Sequence, residues 1–551
     1  VKCWQIISLN ALLIGWLTGA ASTAAAQVTE APVSDTTMHP DTSSSIIQLV
    51  TADYSIGITP KNDSVNLQKL LGHVEMMQNG TLFDCDSAFI NKNSNIMDAY
   101  GDIHINQDSV QVYGDSLHYL GNERKATVLG NTRLEDGKMV LTTPKLDYDL
   151  NTRVGTYTNG GKLVNGTTTL TSVTGYYFAD LKQAYFKKDV VLTDPQYILN
   201  TDSLQYNSQT KMAYFVAPTV IHSGKSIIYT HSGYYNMNTG AARFDQRPTV
   251  VDSSQTITSD SLFYNKVTGM SIAKGNVVWT DTAQKMSVLS GYSIYNDSLQ
   301  TLMATQKPLL IYQMDKDTLF MASDSLFSAP EKKENIITGP GYLPLKHPEK
   351  GASSKIQDTD STGHRYLKAF FHVRIYSDSL QGVCDSIYYS FRDSTFRMYH
   401  NPILWAGDSQ MTGDTIYLHT QDKQASRLDL IRNGLVINKT GPNFYNQVQG
   451  NLIFGYFSKN QLDWMHAIGN AESIYYAKDD SGAYIGVNKA SCSIIDIYFD
   501  TKKSQVSRVV FRRDAAGTTY PLSQTNPSLM QLRHFRWEDA LRPKSKTELM
   551  H

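Results

Sequence analysis

The chain has 551 residues, a formal net charge of −1 and 33 tyrosines against 6 tryptophans. Near-neutrality, with neither Lys/Arg runs nor long acidic runs, argues against an electrostatic nucleic-acid binder and for a β-rich protein. A chain this long ordinarily splits into several domains. Here a repeat runs through the middle without a linker, which favours one elongated body.

The N-terminus, KCWQIISLNALLIGWLTGAASTAAAQ, has a lysine, an apolar stretch from Trp4 to Leu17 and the small run Ala24-Ala25-Ala26. This pattern predicts a secretory signal peptide over residues 1–26, cleaved near Ala26. The apolar stretch is shorter than the roughly 20 residues a membrane helix needs. Residues 27–49 contain a Thr-, Ser-, Pro- and Asp-rich run and read as a flexible lead-in. Cys3 leaves with the signal; Cys85, Cys384 and Cys492 form no CxxC pair. Neither a disulfide scaffold nor a zinc site is encoded, and no cofactor is expected.

Within 50–328 the stretch VYGDSLHY contains Gly114-Asp115-Ser116-Leu117, the signature of a family of serine esterases. A serine nucleophile needs a histidine base oriented by a carboxylate, and Asp463-Trp-Met-His466 could supply both. A nucleophile is needed once, however. Related segments recur as TDSLQY from Thr201, SDSLFY from Ser259, SDSLF from Ser323, CDSIYY from Cys384 and GDTIYL from Gly413. The slots at 144, 173 and 231 hold PKLDY, VTGYY and HSGYY, which keep a tyrosine and lose the acid at the marker position. The tyrosine is therefore the fixed feature, the reverse of what catalysis requires.

Tyr119, Tyr148, Tyr177, Tyr206, Tyr235 and Tyr264 are each 29 residues apart. Seven places after each stands a small residue: Ala126, Gly155, Ala184, Ala213, Ala242 and Ser271. Two further on the column is mostly large, as at Val128, Tyr157, Phe186, Phe215 and Phe244. A fixed period of this length marks stacked repeats, each burying its apolar face against its neighbours. Leu117 and Tyr119, Leu204 and Tyr206, and Leu262 and Tyr264 alternate with other residues at the strand period of two. Two strands of about ten to twelve residues with turns fill one repeat. The mid-segment aspartate reads as a backbone corner; the Gly-Gly-x-Gly-x-Asp nonapeptides of a calcium-bound β-roll are missing, so no metal site is expected.

Past Tyr264 the register drifts, Tyr295 following after 31 residues. A polar interruption over 329–365 reads as an inserted loop. Repeats resume over 366–515, where YSDSLQGVCDSIYY aligns with NQDSVQVYGDSLHY. The remainder, 516–551, is expected to be a C-terminal tail outside the repeat.

Repeated xDSLxY strands joined to segments such as VLGNTRLEDGKMVLTTPKLDYDLNT and AKGNVVWTDTAQKMSVLSGYSIYND resemble the OstA-like family, which includes LptA-type periplasmic proteins of lipopolysaccharide transport and the N-terminal domain of LptD. The resemblance covers roughly residues 50 to 500. It implies an elongated antiparallel β-jellyroll, V-shaped in section, whose apolar groove carries lipid acyl chains. On that footing the inward columns Leu117, Tyr119, Leu146, Tyr148, Leu204, Tyr206, Leu262, Tyr264, Ile387 and Tyr389 are the groove candidates. The resemblance further implies a non-enzymatic periplasmic carrier or bridge moving lipopolysaccharide toward the outer membrane, with lipopolysaccharide or a related lipid and the β-jellyroll proteins of the transport bridge and outer-membrane translocon as partners. The alternatives from other classes are the esterase built on Ser116, Asp463 and His466, and a secreted structural or adhesive β-solenoid.

Overall fold

The computed structural model describes residues 46–58, 66–314, 317–331, 364–421, 424–458, 461–479, 481–500 and 505–550. The expected signal peptide, most of the lead-in and nearly all of the polar interruption lie outside them. Alternating Val, Ile, Leu and Tyr, punctuated by Gly- and Asn-containing turns, produce strands and almost nothing else. The succession Leu67–Gln78, Thr81–Asn91, Ile96–Gln107, Val110–Leu120, Lys125–Asp136 and Met139–Asp149 is an up-and-down meander, each strand antiparallel to the next. The pairing continues to Ala516–Pro521, so that the 40 strands of the described residues belong to one sheet. The all-β fold expected from the repeat is the fold observed.

The sheet does not lie flat. The register breaks at the middle of successive pairs, between Leu71 and Val74, Tyr100 and Ile103, and Leu129 and Thr132. At those places two consecutive residues have positive φ: Gly72-His73 (73° and 43°), Gly101-Asp102 (76° and 40°) and Gly130-Asn131 (74° and 41°). Such a bulge bends the strand sharply, and its recurrence folds the sheet along one line into two facing arms. The aspartates of the repeat brace this fold line. Asn131 Nδ2 donates to Asp115 Oδ2 at 2.9 Å, Asn276 Nδ2 to Asp260 Oδ2 at 2.9 Å and Asn433 Nδ2 to Asp414 Oδ1 at 3.1 Å. A Cβ on Gly130 would stand 2.3 Å from Asp115 Oδ2, so only glycine fits beside the carboxylate.

Between the arms the tyrosine and small columns interleave. Across successive strands the register runs Tyr119, Ala126, Tyr148, Gly155, Tyr177, Ala184, Tyr206, Ala213, Tyr235, Ala242 and Tyr264. Strands stand about 4.8 Å apart, so a ring on every second strand fills the space above the small residue between. One apolar core runs from Ile47 to Val277 and a second from Val288 to Ile497.

Beyond Pro521 the chain turns back across the outside of the C-terminal strands. Gln447 Nε2 donates to Met530 O at 3.0 Å and its Oε1 accepts from Leu532 N at 2.8 Å. Gln410 does the same with Arg536 O at 2.6 Å and Glu538 N at 2.8 Å. Arg542 reaches Gln381 Oε1 at 2.6 Å, and Glu548 pairs with Arg374 at 3.2 Å. Leu532 and Leu549 are buried, as is Trp405 beside Gln410.

Candidate functional site

The two arms meet along a line of hydrogen bonds at their free lips. Tyr119 Oη donates to Gln78 Oε1, Tyr148 Oη to Gln107 Oε1 at 2.9 Å, and Tyr177 Oη to Asp136 Oδ2 at 2.6 Å. Asn165 Nδ2 donates to Tyr206 Oη at 3.0 Å. Each acceptor or donor also ties down the main chain or a charge: Gln78 Nε2 to Gly121 O and Gln107 Nε2 to Leu150 O, both at 2.9 Å, Asn165 Nδ2 to Ser208 O at 2.8 Å, and Lys182 Nζ to Asp136 at 2.6 Å. Each tyrosine stands 41 residues after its partner. These four clasps lace the N-terminal part shut. Burial pushes the hydroxyls of Tyr119, Tyr148 and Tyr206 up to about 12, and burial beside Asp136 raises Tyr177 further.

The lacing stops there. Asp194 and Ser223 continue the spacing, yet Tyr235 and Tyr264 bond to neither, and both are only half-buried. Tyr295, where the repeat has slipped, turns to its own turn and donates to Gln300 Oε1 at 2.9 Å. In this unlaced stretch, at the break between the two apolar cores, lies a cavity of about 260 Å³. Its apolar wall includes Trp279, Met286, Val288, Leu310, Leu326 and Leu367, and its polar rim includes Asp281, Gln300, Ser328 and Arg365. A space of this composition suits an apolar ligand part with a polar end.

The sequence candidates point inward. Leu117, Tyr119, Leu146, Tyr148, Leu204, Tyr206, Leu262, Ile387 and Tyr389 are buried, and Tyr264 is half-buried. Through residue 206 they are packed side by side beneath the clasps, whereas Tyr264 belongs to the unlaced stretch. Tyr389 lines a water-sized void that shares Met286, Leu310, Leu367 and Phe391 with the cavity. The cavity wall itself, Trp279, Met286 and Arg365 above all, has no marker in the repeat; the slip from 29 to 31 residues before Tyr295 is the signal that could have located it.

The esterase residues are not brought together. Ser116 lies in Val110–Leu120 near one end of the stack and His466 in Gln461–Lys478 near the other. His466 Nδ1 pairs with Asp496, not Asp463, and strand alternation puts residues three apart on opposite faces. Among the described residues no helix is long and apolar enough to cross a membrane, and Cys85, Cys384 and Cys492 are buried and unpaired.

Residues 46–202 and 198–289 match a family model described as OstA-like protein. No curated protein matches the chain. Among solved structures, LptH, the LptA homologous periplasmic component of the conserved lipopolysaccharide transport device from Pseudomonas aeruginosa, is similar at 17% identity. That match covers 26% of this chain and 95% of the other with a TM-score of 0.20.

Proposed function

We propose, from the premise that this chain is OstA-like over residues 46–289, that it is a non-enzymatic periplasmic carrier or bridge for lipopolysaccharide on its way to the outer membrane. The observation that carries the reading is the cavity between the arms, apolar inside and polar at its rim, in an interior otherwise filled by repeating apolar side chains. Each methylene exposed to water costs about 0.8 kcal/mol, so a lipid tail in transit needs continuous cover, which stacked inward columns provide. The candidate columns from Leu117 to Tyr389 would line that path wherever the arms part.

End strands provide for partners. Gln48–Thr51 and Tyr54–Ile58 close one end with Leu49, Val50, Tyr54 and Ile56 exposed, and Gln505–Arg512 stands at the other with Val506, Val509 and Phe511 exposed. Unpaired edges of this kind accept another sheet, and the partners that fit are β-jellyroll proteins docked end to end. The test is mass spectrometry of lipid co-purifying with the protein from its native envelope. Lipopolysaccharide bound in defined stoichiometry is expected; a protein free of any lipid overturns the reading.

A further inference from the structure

Arg365 begins the strand Arg365–Tyr376 and lines the cavity. It is half-buried, and burial lowers its pKa from the ordinary guanidinium value. Its bonds are to neutral groups: Nη2 to Gln300 O at 2.7 Å and Nε to Ser328 Oγ at 3.3 Å. It makes no ion pair among the described residues, and of its five N–H donors these two bonds leave several free. The carboxylate on the same rim, Asp281, acts on Arg365 through its charge but forms no ion pair with it; its hydrogen bonds come from Gln255 Nε2 at 3.2 Å and Gln284 N at 3.0 Å. The cavity therefore offers an apolar wall ending at a guanidinium with unfilled donors. A partly desolvated guanidinium without a carboxylate in contact is a receptor for an oxyanion, which it binds through paired N–H groups.

We infer that the cavity is a binding site for an amphiphile with an anionic head, the carboxylate or phosphate docking on Arg365 and the alkyl chain lying against Trp279, Met286 and Leu326. The inference rests on the lipid-carrier reading and narrows it to one place and one head-group chemistry. Cargo enters at mid-body, from the side left unlaced after the Tyr206 clasp, without threading the clasped N-terminal part.

Trp279 reports the test. The full chain is titrated with dodecyl phosphate, dodecanoate and neutral dodecanol, each as monomer, following the tryptophan emission that disappears in Trp279→Phe. Both anions are expected to bind at least tenfold more tightly than dodecanol; a response to one anion alone assigns the head group to that class. Arg365→Met is expected to bring the anions down to the dodecanol value and leave dodecanol unchanged, while Arg365→Lys retains part of the preference. Ala304→Leu, at a buried cavity-lining position, and the rim change Ser328→Phe, which adds no tryptophan to the readout, are expected to weaken all three ligands. Equal binding of all three by the wild-type protein overturns the anionic assignment, and unchanged binding in both filling variants overturns the site. Should these fail while lipopolysaccharide still co-purifies, the carrier reading stands without this site.

Discussion

Tyr148→Phe removes one hydroxyl from the laced seam and nothing else. Tyr148 is 1% exposed and its Oη donates to Gln107 Oε1 at 2.9 Å. Without it the Gln107 oxygen loses a donor where water has little access, which costs about 1–3 kcal/mol. Tyr264 is the internal control: it occupies the same column over Ser271 but has no clasp, so Tyr264→Phe should change stability by no more than about 0.5 kcal/mol. A stack whose units touch only their neighbours need not melt in one step, so the assay is amide hydrogen exchange resolved by peptide. In Tyr148→Phe the opening of Ile96–Gln107 and Met139–Asp149 should rise roughly 5- to 150-fold, the equivalent of that energy, with strands beyond residue 364 unchanged. Equal responses to the two substitutions, or loss of protection spread evenly over the chain, would refute the clasp.

Alkali should loosen the same seam. Tyr119, Tyr148 and Tyr206 are pushed up to about 12 by burial against about 10 in an unfolded chain. Their neutral forms contribute full stability below about pH 10, and that contribution is lost as the unfolded chain sheds protons first between about 10 and 12; urea midpoints at several pH values will show the fall, and it should shrink when the three are phenylalanine. Ala184→Phe or Ala213→Phe sets a second ring between two tyrosines of the column and should cost about 1–3 kcal/mol by overpacking, whereas the exposed turn residue Gln209 should tolerate phenylalanine in the same urea melts. Ser116→Ala should leave fold and lipid content intact, while Gly130→Ala, forced against Asp115 at φ 74°, should destabilise by about 1–3 kcal/mol; an esterase turnover that vanished in Ser116→Ala would contradict the corner.

The tyrosine column, its small companions and the aspartate corner were legible because each arises from contacts between adjacent strands, which recur at every repeat. The clasp partners were harder to see: Gln78, Gln107, Asp136 and Asn165 share a spacing and a role but not a residue type. A hydrogen bond to a tyrosine hydroxyl accepts any short amide or carboxylate, so the column is one of geometry. The cavity was illegible for a different reason, since it exists where the period slips and where Arg365 arrives from beyond a polar interruption. Repeat logic describes what neighbouring units share, and a site made by their failure to match lies outside it. The glutamines that hold the returning C-terminal segment, Gln381, Gln410 and Gln447, likewise read as ordinary polar strand residues until the segment is seen against them.

That segment changes how the molecule comes apart. Rungs bound only to the next rung can peel from a free end one at a time, each loss leaving the remainder as stable as before. From Gln447 back through Gln410 and Gln381 to Arg374, one stretch of chain crosses the strands at right angles to their succession and is fastened at each. Pulling any rung there strains the fastening on the others, so the C-terminal part is built to yield as a block, while the N-terminal part, whose clasps reach only from one repeat to the next, is built to unzip repeat by repeat.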